Sequence, residues 1–193
     1  MNIIAFSGKK QSGKTSAAKY IKNRNINVSY INFADYLKAI VLNCFGEPDE
    51  KRGNLYSDCI YSDLDSDKEK LMPCGDTGRQ LLQWLGTDIM RAKDTDCWVK
   101  AYKAEVLKSF RSDWPPELVL TADVRFPNEV KCIQEMGGHV IRLTRNIYSD
   151  THSSEMALDN MEDMFDVVVD NGDMTLEEKN ETVWKIIKEK GWL

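Results

Sequence analysis

Apolar residues gather in five short runs, Asn2 to Ser7, Val28 to Phe33, Leu118 to Asp123, His139 to Thr144 and Asp166 to Asp170, each of strand length. Between the runs the apolar positions recur every three or four residues, which predicts helices over 14–23, 35–45, 77–92, 95–111, 127–136 and 176–190. Strand alternating with helix predicts an α/β fold with a parallel sheet. Runs such as VSYINF, LVLTA and DVVVD are apolar almost throughout, as strands covered on both faces require. The last helix carries its own start signal, with Thr175 placed to cap the first turn and Glu178 to return the bond. It is expected to pack Leu176, Val183, Ile186 and Ile187 on the sheet and to stop near Gly191. Two stretches break the alternation. Residues 46–76, rich in Asp, Ser, Gly and Lys, read either as a lid or binding segment or as a solvated insert. The polar stretch from Asn146 to Met164, with His152 and Glu155, lies between the fourth and fifth strands.

Composition narrows the class. A chain of 193 residues, 42% hydrophobic, is long enough for one continuous core and short for two, so 1–193 is read as a single domain. A net charge of −5 argues against a protein that coats nucleic acid, whose affinity comes from clustered Lys and Arg. Five cysteines without a C-x-x-C pair, and only two histidines, make a zinc site improbable. The odd cysteine count and a start that runs directly into Ile3-Ile4-Ala5-Phe6 lead us to expect reduced thiols and a cytoplasmic setting. No apolar run reaches the roughly 20 residues that span a bilayer, so no membrane partner is expected.

Candidate chemistry begins immediately after the first strand, where GKKQSGKT, residues 8–15, matches G-x-x-x-x-G-K-[ST] at every fixed position. Gly8 and Gly13 permit backbone angles that turn successive N–H groups inward, toward a phosphate. Lys14 would reach the β- and γ-phosphates, and the Thr15 hydroxyl would ligand Mg²⁺ at the start of a helix. The guanine-reading N-K-x-D string is missing, which sets GTPases aside, and the chain lacks room for helicase or transporter machinery. A small kinase remains. Arg79, Arg125, Arg142 and Arg145 fall beside strand ends or at a helix start, where an open α/β sheet has its ligand crevice, and together they suggest a polyphosphate site. Asp123 ends the third strand and is a second candidate for Mg²⁺ or its waters, or else for the substrate sugar or Arg125. Trp84 and Trp98 read as core. Of the two, Trp98 is better placed to stack on a base, because Asp94, Asp96 and Lys100 flank it.

Taken in order, GKKQSGKT, FADYLK at 33–38, RQLLQWLGTD at 79–88, CWVK at 97–100, DVRFPNE at 123–129, THSSE at 151–155 and DNGDMTLEE at 170–178 resemble the deoxynucleoside monophosphate kinases of tailed bacteriophages. The resemblance spans nearly the whole chain. It implies a P-loop kinase fold with a five-stranded parallel sheet, helices on both faces and a small lid, with ATP and a deoxynucleoside monophosphate as partners. By motif match Lys10, Arg79, Gly86, Thr87, Trp98, Asp123, Arg125, Glu129 and Thr151 would line the acceptor site, with Asp35 of FADYLK counted beside them. Gln11, Ser12, Gly13, Lys14 and Thr15 would hold the phosphates of ATP; Lys14, Arg125, Arg142 and Arg145 would be catalytic, 145–165 the lid, and 46–76 the segment that covers the monophosphate. The pattern departs in three places: Thr15 stands where many relatives have Asp, Tyr36 replaces a Pro, and 46–76 is shorter than in the longer relatives. A homodimer is compatible with the resemblance, and a viral source would make the compartment the host cytoplasm. Two alternatives stay open on the residues: a P-loop kinase with a hydroxyl acceptor such as dephospho-coenzyme A, using Asp35 or Asp123 as base, and a nucleotide-binding module without turnover.

Overall fold

The five apolar runs form strands β1 (Ile3–Gly8), β2 (Val28–Tyr30), β3 (Leu118–Val124), β4 (His139–Leu143) and β5 (Val167–Val169) in a computed structural model that describes residues 1–24, 27–46, 68–147 and 153–193. They make one sheet in the order β2-β3-β1-β4-β5, with every neighbouring pair parallel. All the strands therefore end on the same edge, and β1 is central. β2 stops three residues short of the predicted end. Backbone pairing extends to Ile31, whose N–H bonds the Leu120 carbonyl at 3.0 Å, and beyond it side chains take over: Asn32 Oδ1 accepts the Ala122 N–H at 2.9 Å and an Asp123 carboxylate oxygen accepts the Phe33 N–H at 3.0 Å.

Among the described residues the helices are α1 (Lys14–Lys22), α2 (Asp35–Phe45), α3 (Gly78–Gln83), α4 (Cys97–Phe110), α5 (Pro127–Glu135), α6 (Ser153–Met156) and α7 (Leu176–Glu189), with a 3₁₀ turn over Glu162–Met164. α7 begins as expected, Thr175 Oγ1 accepting the Glu178 N–H at 3.2 Å and Glu178 accepting the Thr175 N–H at 2.8 Å. The continuous helix predicted over 77–92 is instead α3 followed by a wider π-helix, Trp84–Arg91. Within it the Gly86 carbonyl accepts a bond from Trp98 Nε1 at 2.9 Å, which competes with the helix's own ladder.

The chain divides into two compact units, Met1–Phe33 with Tyr102–Leu193, and Ala34–Ala101. In the first, the even positions of β1, Ile4 and Phe6, join Leu118, Leu120, Ile141 and Leu143 under α1 and α7, whose Ala18, Ile21, Val183 and Ile187 close that face. The odd positions serve the opposite face, where Tyr102 of α4 bonds the Thr121 hydroxyl at 2.8 Å and α5 packs beside β4. Helices thus cover both faces. In the second unit Leu37, Val41, Leu42, Leu81 and Trp98 form a separate core.

Two packing expectations are corrected. Leu176 is 59% exposed, because it opens α7 at the helix end, and the face turned inward carries Lys179, Asn180, Val183 and Ile187. Trp84 is 47% exposed and meets Phe45 edge-on rather than lying in a core. Among the described residues no helix is long and apolar enough to cross a membrane.

Candidate active site

In the first unit, the GKKQSGKT turn follows the carboxyl end of the central strand and leads into α1, so the helix's unpaired N–H groups open onto it. Its backbone needs glycine at two points. Gly13 sits at φ 97°, and at Gly8 a side chain would come within 2.7 Å of the Leu143 carbonyl oxygen. Gln11 also adopts a left-handed conformation, with φ 60°. Lys14 curls back over the turn, its Nζ donating to the carbonyls of Gly8 and Lys9 at 2.7 Å each. Ser12 is buried, while Gln11 and Thr15 are exposed and Lys10 is half-buried.

The strand ends on the same edge bring the other candidates of this unit. Asp123, next to last in β3, accepts the Phe33 N–H. Glu129 is 3% exposed, and one carboxylate oxygen accepts the N–H groups of Arg125 at 2.7 Å and Phe126 at 3.2 Å. Its visible work is to shape the start of α5 and the backbone that carries Arg125. Arg142, on β4, donates to the Ser7 hydroxyl at 2.9 Å, and its guanidinium lies 5.5 Å from the Phe165 ring. The Ser7 hydroxyl in turn donates to the Val124 carbonyl at 3.0 Å, so β3, β1 and Arg142 are linked through one buried oxygen. Arg145 is half-buried, and its N–H bonds Asn171 Oδ1 at 3.0 Å.

Four residues here were not singled out from the sequence. Besides Ser7, Asp159 pairs with Lys9 at 2.6 Å and with Arg142 at 3.5 Å. Asn171, 1% exposed, donates to the Ser12 carbonyl at 2.9 Å. Lys179, 2% exposed, donates to the Gly13 carbonyl at 2.7 Å and to the Ser16 hydroxyl at 2.5 Å. Burial, with a smaller contribution from the positive charge of Arg145, pushes the Lys179 amine down to about 8. A signal for Lys179 was present: the helical stripe through Val183 and Ile187 runs back through position 179.

In the second unit Thr77 and Gln80 form a capping box that starts α3 and places Arg79 in its first turn, paired with Glu69 at 2.6 Å. Gly86 is buried in the π-helix, where an added Cβ would collide with the Leu37 side chain, and Thr87 is half-buried beside it. Trp98 is 6% exposed among Leu37, Val41 and Leu81. Its indole is core and a hydrogen-bond anchor for Gly86, and it offers no open face for base stacking. Asp35 lies 3.6 Å from Lys38. Thr151 and most of 46–76 lie outside the described residues.

A Gly-rich turn on the central strand, crowded by Lys9, Lys14, Arg142 and Lys179, suits a polyphosphate anion at the carboxyl edge of a parallel sheet. That combination defines a P-loop protein of the kinase type. A family model for deoxynucleotide monophosphate kinase matches residues 76–183. A protein of Acanthamoeba polyphaga mimivirus, named as a deoxynucleotide monophosphate kinase, is 33% identical over 187 residues, 92% of each chain. Among solved structures, shikimate kinase from Aquifex aeolicus is 12% identical, with 98% of each chain covered and a TM-score of 0.40. Dephospho-CoA kinase from Campylobacter jejuni is 15% identical, covering 97% of this chain and 96% of that one, with a TM-score of 0.44. Likenesses that distant carry nothing about activity. This chain belongs to the deoxynucleotide monophosphate kinase family and is a phosphotransferase.

Proposed function

We propose that the protein transfers the γ-phosphoryl group of ATP to a deoxynucleoside monophosphate, giving the diphosphate and ADP. The observation that carries this reading is the P-loop itself, with its two glycines, Lys14 and the start of α1 at the end of the central strand, in a chain of this family. The acceptor phosphate has a second pKa near ~6 and is mostly a dianion at neutral pH, so it needs no general base. The work left to the protein is positioning and charge neutralisation. In this reading Lys14 swings from the loop carbonyls to the transferring phosphoryl, and Arg125, Arg142 and Arg145 share the remaining charge. Lys10, Asp35, Arg79, Gly86, Thr87, Trp98, Asp123, Glu129 and Thr151 serve the acceptor side, with Trp98 and Glu129 acting by holding their neighbours in place.

The donors suit Mg²⁺: the exposed Thr15 hydroxyl at the start of α1 and the Asp123 carboxylate at the end of β3 are hard oxygen ligands. Bound there, Mg²⁺ would neutralise phosphate charge. The segment 145–165 is read as the lid that excludes water, and the protein as a cytoplasmic enzyme, in the host if it is viral. A homodimer belongs to the same reading, and sedimentation of the purified chain tests it.

The test is ADP formation at fixed Mg²⁺ with deoxynucleoside monophosphates, ribonucleoside monophosphates, dephospho-coenzyme A and no acceptor. Acceleration by deoxynucleoside monophosphates is expected. Acceleration by dephospho-coenzyme A alone, or by nothing, would overturn the reading.

A further inference from the structure

The carbonyl side of the P-loop is occupied by two buried polar residues that neither the motif nor the proposed reaction uses. Asn171 lies in the turn after β5 and Lys179 in the first turns of α7, more than 150 residues along the chain from the loop they touch. A trans peptide is planar, with its C=O and the following N–H pointing in opposite directions. A donor fixed on the Ser12 carbonyl therefore aims the Gly13 N–H away from it, and one fixed on the Gly13 carbonyl does the same for the Lys14 N–H. Those amides belong to the set that a P-loop presents to phosphate.

We propose that Asn171 and Lys179 are positioning residues for ATP, clamping the Ser12 and Gly13 carbonyls so that the P-loop amides stay turned toward the nucleotide. The proposal rests on the reading that this loop binds the phosphates of ATP.

Three features support a built clamp rather than incidental packing. The lysine lies against the bare Cα of Gly13, where an added Cβ would sit 2.7 Å from Nζ and 3.2 Å from Cδ. Its partners are a loop carbonyl and the Ser16 hydroxyl, which itself donates to the Gly13 carbonyl at 2.8 Å. An ordinary buried lysine is matched by a carboxylate, whereas here the positive charge faces the phosphate loop and is penalised by burial and Arg145. Asn171 is bonded at both ends, its amide nitrogen to Ser12 and its oxygen to the Arg145 N–H, so one side chain ties the P-loop to the segment after β4.

The test compares wild type, Lys179→Met and Asn171→Ala by steady-state kinetics with ATP and the deoxynucleoside monophosphate that wild type turns over fastest. Amide hydrogen exchange at Gly13 and Lys14 in the ATP-bound proteins, where phosphate oxygens would protect both N–H groups, provides a second readout, and Asn171→Ala keeps the test alive if Lys179→Met does not fold. Each variant is expected to raise the KM for ATP by about tenfold or more, as losing a buried or charge-assisted hydrogen bond would, while leaving the acceptor KM within about twofold. Exchange at the two amides should accelerate by a similar factor. A fall in kcat with both KM values unchanged is what mere loss of folded protein produces, and would overturn the proposal. So would unaltered exchange in variants of a wild type that binds ATP, whereas a wild type that binds no ATP overturns the P-loop reading together with the clamp.

Discussion

Around the P-loop the restraints are polar and reach across the chain: Asn171 and Lys179 hold loop carbonyls, Ser7 links Val124 to Arg142, and Asp159 joins Lys9 to Arg142. Around Gly86 and Thr87 the restraint is apolar, with Leu37 and Trp98 packed on the π-helix and one indole bond to the Gly86 carbonyl. The contrast follows from what each place has to present. A phosphate cradle is made of backbone amides, and hydrogen bonds to the opposite carbonyls help to orient them. Helix-borne side chains are oriented by packing the helix.

If that contrast is right, damage at the two places should separate stability from turnover. The largest effect on folding is expected from Trp98→Ala, which empties the core of the second unit and unpairs the Gly86 carbonyl. It should cost about 3–5 kcal/mol in urea unfolding. A cost below ~1 kcal/mol would mean that the indole is not the anchor described. Next comes Lys14→Met, expected to lower turnover by about 10²–10³-fold, the scale of removing one preorganised donor to transition-state charge. Its unfolding midpoint should stay close to wild type, and retained turnover would remove Lys14 from the chemistry.

The smallest effect is a pH dependence. Lys179 has its amine pushed from the ordinary 10.5 down to about 8 in the folded protein. Between those values the unfolded chain holds more protons on this group than the native one, so its contribution to stability rises with pH. Below about 8 the native amine is charged and the penalty is present in full. The unfolding free energy of wild type relative to Lys179→Met should therefore be flat at neutral pH and climb as pH passes through about 8 toward 10. A flat or falling difference in urea melts across that range would contradict the assignment.

Much of this was legible in the residue pattern. Each of the five strands lies where an apolar run predicted it, and the α7 capping box follows from Thr175 and Glu178 alone. Local signals reach only a few residues. They did not announce that Leu176 would lie outside, and although the helical stripe runs through position 179, they did not say what its lysine would meet, because its partners, Gly13 and Ser16, are remote in sequence. The core reading of Trp98 holds, while the open stacking face that its polar flanks suggested is absent, since the ring is buried.

By itself the chain determined the alternation of strands and helices, the glycine-dependent turn at Gly8 to Thr15, and its membership of a kinase family, since these depend on periodicity and contiguous motifs. The tertiary structure decided which polar groups meet. Whether Asn171, Lys179 and Ser7 are buried partners or ordinary surface residues depends on strand order, and the order β2-β3-β1-β4-β5 brings the ends of β4 and β5 to one side of the P-loop. Burial then makes those few hydrogen bonds costly to lose, which no local pattern of residues can express.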